Sequence, residues 1–219
     1  LNEVFRRRRG TWVAAAMSDE EARMAAHGRT VTVDLDGVPC SLRYVKLDRD
    51  TYHRYYSTMA NPLLWFVQHY LWDLAWHPEI GAVEHGAWQS YLEVDGAFAD
   101  VLVDEIGGDG RDALVLLHDY HLYTVAPLVR RRAPRTFLHH FVHIPWPQSD
   151  YWRVLPRSMR TAVFEGLLGN DVVAFHTERY ARSFLTGCAD LLGLSVDLQR
   201  GVVEAGDREV WVRWYPVSI

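Results

Sequence analysis

Two clusters of polar side chains follow short apolar runs in the second half of the chain. The run 113–117 leads into His118-Asp119-Tyr120-His121, and the run 136–142 leads into His143-Ile144-Pro145-Trp146-Pro147. A carboxylate such as that of Asp119 can accept hydrogen bonds from two vicinal sugar hydroxyls, and the imidazole of His143 can donate or accept another. Two prolines fix backbone dihedrals of the second segment and keep such a site in place. These residue types indicate a site for a sugar.

Two other interpretations of these residues have to be weighed. Asp119 could instead cap the helix that follows it, because Asp is a favoured N-cap residue. His139 and His143 share one side of an extended segment, but four residues separate them by roughly 13 Å, too far for one zinc ion. His118 and His121 could share an ion only on a helix, and no HExxH motif or cysteine pair supports them. The sequence therefore predicts no metal and no other cofactor.

A third cluster is aromatic and lies in the first half, from Tyr55 to Trp65. Aromatic rings with polar groups often line carbohydrate sites, since the ring face packs on sugar C–H groups and the hydroxyl forms hydrogen bonds. The alternative is that Trp65 and its neighbours belong to the core, which is favoured in a chain with nine tryptophans.

The apolar runs themselves predict the sheet that would position the polar clusters. The runs 113–117, 136–142 and 171–175 are each followed by a helical pattern, at 121–132, 156–167 and 177–192, and a last strand is predicted near 209–214. Continuous apolar strands that alternate with helices are typical of a parallel sheet covered on both faces. We therefore predict a doubly wound, Rossmann-like α/β fold. Ligands of such sheets bind beyond the carboxyl ends of the strands, where Asp119 and His143 lie.

The first half is predicted to be mixed. The patterns indicate a helix over 2–9, a strand over 11–15 and a helix that begins with a capping box at Ser18. A β-hairpin follows over 30–35 and 38–47. A helical stretch from 48 to 70, interrupted near Asn61-Pro62, and a helix over 86–106 complete this half. No linker rich in proline or glycine divides the chain, so residues 1–219 are predicted to form a single domain.

Composition excludes several classes of protein. The net charge of −5 argues against a nucleic-acid binder, and no apolar run approaches the roughly 18 residues needed to span a membrane. Two cysteines without metal-type spacing favour the reducing cytoplasm. All basic residues except Lys46 are arginines, which suit bidentate contacts to carboxylate or phosphate. The run Arg130-Arg131-Arg132 closes a predicted helix and is interpreted as a solvated end.

Taken together, the motifs resemble the trehalose-6-phosphate synthase family. They occur in the family's order and with about its spacing, over essentially the whole chain: Val4 to Val13, Asn61-x-x-Leu64-Trp65-x-x-x-His69-Tyr70, His118 to Leu122, His143 to Pro147, Gly166-Leu167-Leu168-Gly169-Asn170-Asp171, and Tyr215 to Ile219.

The resemblance implies a retaining GT-B glycosyltransferase that moves glucose from UDP- or GDP-glucose to glucose 6-phosphate without a metal. It places Tyr56 and Trp65 in the acceptor site, with Asp119 and Tyr120 helping to bind glucose 6-phosphate. His143 resembles the histidine that contacts the transferred glucose beside the donor phosphates. In that family no clear protein nucleophile takes part, so Asp119 and His143 would be catalytic by positioning and electrostatic support.

Several departures from the family pattern leave alternatives open. Ala60 replaces the usual Ser and Phe66 the usual Pro, and the segment with Asp150-Tyr151-Trp152-Arg153 is also similar to pseudo-glycosyltransferases that join aminocyclitols. The first strand with its glycine-rich loop and the C-terminal nucleotide-binding domain have no counterpart in these residues. We therefore expect the acceptor-binding, N-terminal half of such an enzyme, with an inactive sugar-phosphate-binding module as the alternative. A homo-oligomer is compatible with the sequence.

Overall fold

The computed structural model describes residues 10–35, 37–73, 79–110 and 113–216. The helix predicted over 2–9 and the closing residues 217–219 lie outside this part of the chain. The described strands are β1 Thr11–Ala15, β2 Thr30–Leu35, β3 Val38–Val45, β4 Leu114–His118, β5 Phe137–Phe141, β6 Val172–Phe175, β7 Val196–Asp197, β8 Val202–Ala205 and β9 Arg208–Trp214. The α-helices are α1 Asp19–Ala26, α2 Arg49–Arg54, α3 Phe66–Gln68, α4 Ala82–Ile106, α5 Val125–Arg132, α6 Arg157–Leu168 and α7 Glu178–Leu192. A π-helix spans Tyr55–Trp65 and a 3₁₀-helix spans Tyr151–Val154.

A three-stranded sheet comes first along the chain, in the order β1-β3-β2. The predicted hairpin is confirmed as the antiparallel β2–β3 pair, and β1 adds to β3 in parallel. The predicted capping box at α1 is also confirmed, because Ser18 Oγ accepts the N–H of Glu21 and Glu21 Oε2 accepts the N–H of Met17. Contacts of β1 and β3 with α4 join this sheet to the helical layer.

The second sheet carries the predicted α/β architecture, in the order β4-β5-β6-β9-β8-β7. Pairing is parallel from β4 to β9, which confirms the mostly parallel sheet. The two short strands β7 and β8 were not predicted, and they extend the sheet in antiparallel fashion beyond β9. Their few apolar residues alternate over too short a length to stand out in the sequence.

One detail differs from the prediction, which had both faces of the sheet covered. Leu114, Leu116, Phe137 and Trp211 are 56%, 39%, 47% and 42% exposed, and the strand register places them on one face. The order β4-β5-β6-β9 advances in a single direction, so right-handed connections place α5, α6 and α7 together on the opposite face. Buried side chains such as Leu117 and Leu138 point into that helical layer.

The helical stretch after β3 is continuous where an interruption was predicted. The chain passes through Asn61-Pro62 in the π-helix, which accommodates the missing N–H of Pro62. Tyr55, Met59, Ala60, Leu63 and Leu64 form its buried face. Two helices also begin at other residues than predicted, α4 at Ala82 and α5 at Val125.

Candidate functional site

Asp119 lies directly after β4, at the carboxyl edge of the sheet. Its φ of 64° turns the chain sharply, and its N–H donates to the carbonyl of Phe141 on β5 at 2.7 Å. Its Oδ1 accepts the N–H of His143 at 3.2 Å, and the backbone of Tyr120 and Ile144 also bonds to the carboxyl group. Asp119 therefore joins the two polar loops. The helix-cap interpretation is wrong, because the N-cap residue of α5 is Thr124.

Histidines surround this carboxyl group. His118 Nδ1 lies 3.0 Å from His143 Nε2, so one ring donates a hydrogen bond to the other. Burial lowers the pKa of both residues, and both rings are therefore neutral at pH 7. Behind them, His140 is fully buried and its Nε2 lies 2.8 Å from the carbonyl oxygen of Asp119, with its pKa lowered to about 3 by burial. A neutral His140 donates this hydrogen bond and positions Asp119.

The carboxyl group of Asp119 is itself in a mixed environment. Burial raises its pKa, whereas hydrogen bonds from the backbone of His143, Tyr120 and Ile144 lower it. A partly desolvated carboxylate forms stronger hydrogen bonds to ligand hydroxyls than an exposed one.

Tyr120 connects this edge to the π-helix. Its hydroxyl donates to Asn61 Oδ1 at 2.8 Å, and burial raises its pKa to about 12, so the phenol stays protonated. His121 packs against the Tyr120 ring and stacks on the exposed ring of Tyr56 with centroids 5.6 Å apart. Burial lowers the pKa of His121 to about 4. The structure therefore brings Tyr56, Asp119, Tyr120 and His143 to one edge, together with Asn61.

Trp65 lies further along the π-helix than these residues. It is partly buried against the core, and its ring stacks on His69 at a centroid distance of 3.8 Å. No hydrogen bond or ring contact among the described residues links it to Asp119, Tyr120 or His143. Its assignment to the acceptor site stays a prediction.

Two buried residues of α4 support the site and were missed by sequence reasoning. The Tyr91 hydroxyl donates to the carbonyl of Tyr120 at 2.8 Å and accepts the N–H of Tyr123 at 3.0 Å. Asp95 Oδ2 accepts both the N–H and the hydroxyl of Thr124, at 2.8 and 2.7 Å. The sequence contains one signal for this pair: Asp95 lies four residues after Tyr91, so both fall on the apolar face of the helix.

The loop that carries His143 is anchored by its tryptophan. Trp146 is 1% exposed and packs against Trp152, Phe164 and Phe184. The glycines of the 166–171 motif allow α6 to approach closely, because a Cβ at Gly166 would lie 2.3 Å from the carbonyl oxygen of Tyr123. This packing holds both polar loops on rigid elements, as a binding site requires.

The arrangement can accept and donate hydrogen bonds in several directions but offers little positive charge. Carboxylate, phenol, amide and neutral imidazole groups suit a polyhydroxylated ligand. In the described part of the chain, no group of three or more His, Cys, Asp or Glu side chains is arranged to hold a metal ion. The same residues contain no helix with the length and apolar character needed to cross a bilayer.

The mostly parallel sheet with a polar cluster at its carboxyl edge is a Rossmann-like α/β domain, and its family and its structural neighbours place it in the GT-B class. The N-terminal domain of trehalose-6-phosphate phosphatase from Candida albicans superposes with a TM-score of 0.77 at 27% identity, over 95% of this chain and 41% of that one. The chain belongs to glycosyltransferase family 20, whose sequence model matches residues 1–219.

Curated relatives of the chain carry two activities in their names. Validamine 7-phosphate valienyltransferase of Streptomyces hygroscopicus subsp. jinggangensis is 31% identical over 95% of this chain and 42% of its own length. The UDP-forming alpha,alpha-trehalose-phosphate synthase 5 of Arabidopsis thaliana is 36% identical over 84% of this chain and 21% of its own length. The chain thus spans less than half the length of these relatives.

Proposed function

We propose that the chain is the acceptor-binding half of a retaining glycosyltransferase that moves glucose from UDP- or GDP-glucose to glucose 6-phosphate. The observation that carries this proposal is the cluster at the carboxyl ends of β4 and β5, where Asp119 Oδ1 and the backbone nitrogen of His143 are 3.2 Å apart and Tyr120 bonds to Asn61. Family membership and the trehalose-phosphate synthase relatives support the reaction class.

Each residue has a role that its chemistry suggests. The carboxylate of Asp119 accepts hydrogen bonds from two sugar hydroxyls, and the exposed Tyr56 side chain offers a phenol hydroxyl for a further one. His143 donates a hydrogen bond to the transferred glucose through Nδ1–H, while its Nε2 accepts a hydrogen bond from His118 Nδ1. These groups position the two sugars, and none is placed as a nucleophile. The transfer we propose needs no metal, and an assay of turnover with and without EDTA would test this.

The experiment for the acceptor site is a titration of the ¹⁵N-labelled chain with glucose 6-phosphate, read at the backbone amides of Tyr120 and His143. Asp119→Asn replaces a charged acceptor by a neutral one while the amide oxygen can still bind the N–H of His143. Loss of a charged hydrogen bond costs about 1.5–3 kcal/mol, so affinity should fall roughly ten- to a hundredfold with little change in Tm. Asp50→Asn on α2 is the control with the same charge change. Equal affinity in wild type and Asp119→Asn would contradict the proposal.

A second candidate function is the coupling of aminocyclitols, favoured by the 31% identity to the valienyltransferase over 95% of the chain. The two candidates differ in their acceptor, so validamine 7-phosphate is titrated in parallel with glucose 6-phosphate. Tighter binding of glucose 6-phosphate supports glucosyl transfer, and the reverse order supports cyclitol coupling. Binding of one acceptor without turnover in a longer protein would indicate an inactive sugar-phosphate-binding module.

The relatives of this chain are much longer than the chain itself, which indicates a partner domain. We propose that the working enzyme combines this chain with a C-terminal GT-B domain that binds the nucleotide, because relatives at this identity are more than twice as long.

We also propose a cytoplasmic location, since Cys40 and Cys188 are both unpaired and buried. Fractionation of cells that express a tagged protein would test this location.

A further inference from the structure

A cavity in the helical layer extends along α6, from Arg157 in its first turn to Gly169 directly after its last. Its volume is about 560 Å³, within the range of roughly 300–1,000 Å³ typical of small-molecule sites. It is bounded by the last turn of α5, by α6, by the end of α7 and by the turn between β8 and β9. None of the residues that line it belongs to the proposed sugar site.

Four arginines line this cavity: Arg130, Arg131, Arg157 and Arg208. Their presence in one cavity contrasts with a net charge of −5 for the chain. Three carboxylates lie near them: Glu165 on the cavity wall, Asp171 just behind it and Asp207 beside Arg208. The excess of positive charge is therefore local and built by elements distant in sequence.

Two of the four guanidinium groups are held in place by the backbone. Arg130 donates to the carbonyl of Thr136 at 2.8 Å and pairs with Asp171 Oδ2 at 2.6 Å, so its interpretation as a solvated helix end is wrong. Arg208 donates to the carbonyl of Leu168 at 2.7 Å. Burial lowers the pKa of Arg208 and the positive charge of Arg130 lowers it further, whereas Asp171 and Asp207 raise it.

The other two arginines are free to meet a ligand. Arg131 and Arg157 are exposed, and neither has a hydrogen bond or ion pair with any described residue. By contrast, three arginines line a smaller cavity of about 380 Å³ near the end of β9, and all three have hydrogen-bond or ion-pair partners. There Arg200 forms a bidentate pair with Glu209, Arg182 pairs with Glu178, and Arg213 donates to backbone carbonyls.

We propose that this cavity binds a phosphorylated metabolite through Arg131 and Arg157, in addition to the fixed guanidinium groups of Arg130 and Arg208. Arginine forks match phosphate oxygens in bidentate geometry, and several converging cations are what a phosphate group requires. The leucines at 168, 191, 192 and 194 give the cavity an apolar wall for the organic part of the ligand. This site is separate from the proposed acceptor site and does not depend on it.

The test is a calorimetric titration of the chain with inorganic pyrophosphate at low ionic strength. The double variant Arg131→Gln/Arg157→Gln should bind at least tenfold more weakly, because both free guanidinium groups are lost. The matched control Arg49→Gln/Arg179→Gln removes two exposed arginines outside the cavity, and it should bind as wild type does. Asp119→Asn should also leave pyrophosphate binding unchanged, which separates this site from the sugar site.

A gain-of-affinity variant sharpens the test. Glu165 is exposed on α6 and lines the cavity, so its carboxylate repels an anion bound there. Glu165→Gln should tighten pyrophosphate binding severalfold, an effect that a loss of folding cannot produce. The proposal is overturned if wild type shows no binding up to millimolar pyrophosphate, if the two double variants bind alike, or if Glu165→Gln binds no more tightly than wild type.

Discussion

Asp95 is a carboxyl group whose environment favours its protonated form. It is completely buried on α4, and burial raises its pKa to about 8. Its Oδ2 accepts two hydrogen bonds from Thr124, while Oδ1 has no partner among the described residues. The protonated acid thus holds the start of α5, directly after the loop with Asp119 and Tyr120.

This raised pKa makes stability depend on pH. Between the pKa of an unfolded Asp, about 3.9, and that of folded Asp95, about 8, only the folded state keeps the proton, so folding loses about 1.4 kcal/mol per pH unit. Asp95→Asn mimics the protonated acid, so the stability of the variant does not fall with rising pH through this residue. We expect the variant to gain stability relative to wild type steadily from pH 5 to 8, measured by urea denaturation. A stability difference that stays constant with pH would contradict the raised pKa.

Among single residues, the polar ones at the ends of strands could be predicted from the sequence, but the residues that support them could not. Asp119 and His143 were predictable as neighbours because parallel strands end at a common edge. Asp95 and Tyr91 lie more than twenty residues away on α4, and their bonds to Thr124 and Tyr120 depend on how that helix packs. No local pattern encodes such a contact.

The π-helix determines which residues of the aromatic cluster share a face. An α-helix has about 3.6 residues per turn, so Tyr56 and Trp65, nine residues apart, would point in opposite directions. The i→i+5 bonds of a π-helix widen the turn, and nine residues then come close to two full turns. Tyr56, Asn61 and Trp65 accordingly all lie off the buried face. Sequence propensity could not predict this helix type, since Asn61-Pro62 more often ends a helix.

If this face borders the acceptor site, glucose 6-phosphate should change the environment of Trp65. We expect the ligand to alter the tryptophan fluorescence of the wild-type chain, and Trp65→Phe to remove most of that change. Trp88→Phe is the matched control, because Trp88 is buried on α4 and stacks on Tyr91. A ligand response that survives in Trp65→Phe and disappears in Trp88→Phe would place the site elsewhere.

For the whole molecule, the open face of the six-stranded sheet is the main departure from the predicted architecture. Parallel sheets are normally covered on both faces, and exposed apolar patches of this kind bind other apolar groups. We expect the chain to enhance the fluorescence of the dye ANS, and Leu116→Thr/Phe137→Thr to reduce this signal. Met17→Thr/Val83→Thr changes two exposed apolar residues elsewhere and should have little effect. Equal signals from both double variants would show that the sheet face does not bind the dye.

The lack of positive charge at the carboxyl edge of that sheet predicts how strongly the chain binds a nucleotide sugar. At the carboxyl edge, segments 119–124 and 143–150 contain no arginine or lysine, and His118, His121 and His143 are neutral because burial lowers their pKa. Donor diphosphates need several converging cations, so this edge should bind them weakly.

The measurement is a calorimetric titration with UDP-glucose and GDP-glucose at pH 7. It is made on Arg131→Gln/Arg157→Gln, so that the arginine-lined cavity along α6 does not contribute. We expect no saturable binding below the millimolar range and no glycosyl transfer to glucose 6-phosphate. Micromolar binding of either nucleotide sugar to this variant would mean that the donor site lies at the carboxyl edge of this sheet, because imidazole and backbone N–H groups would then suffice for the diphosphate.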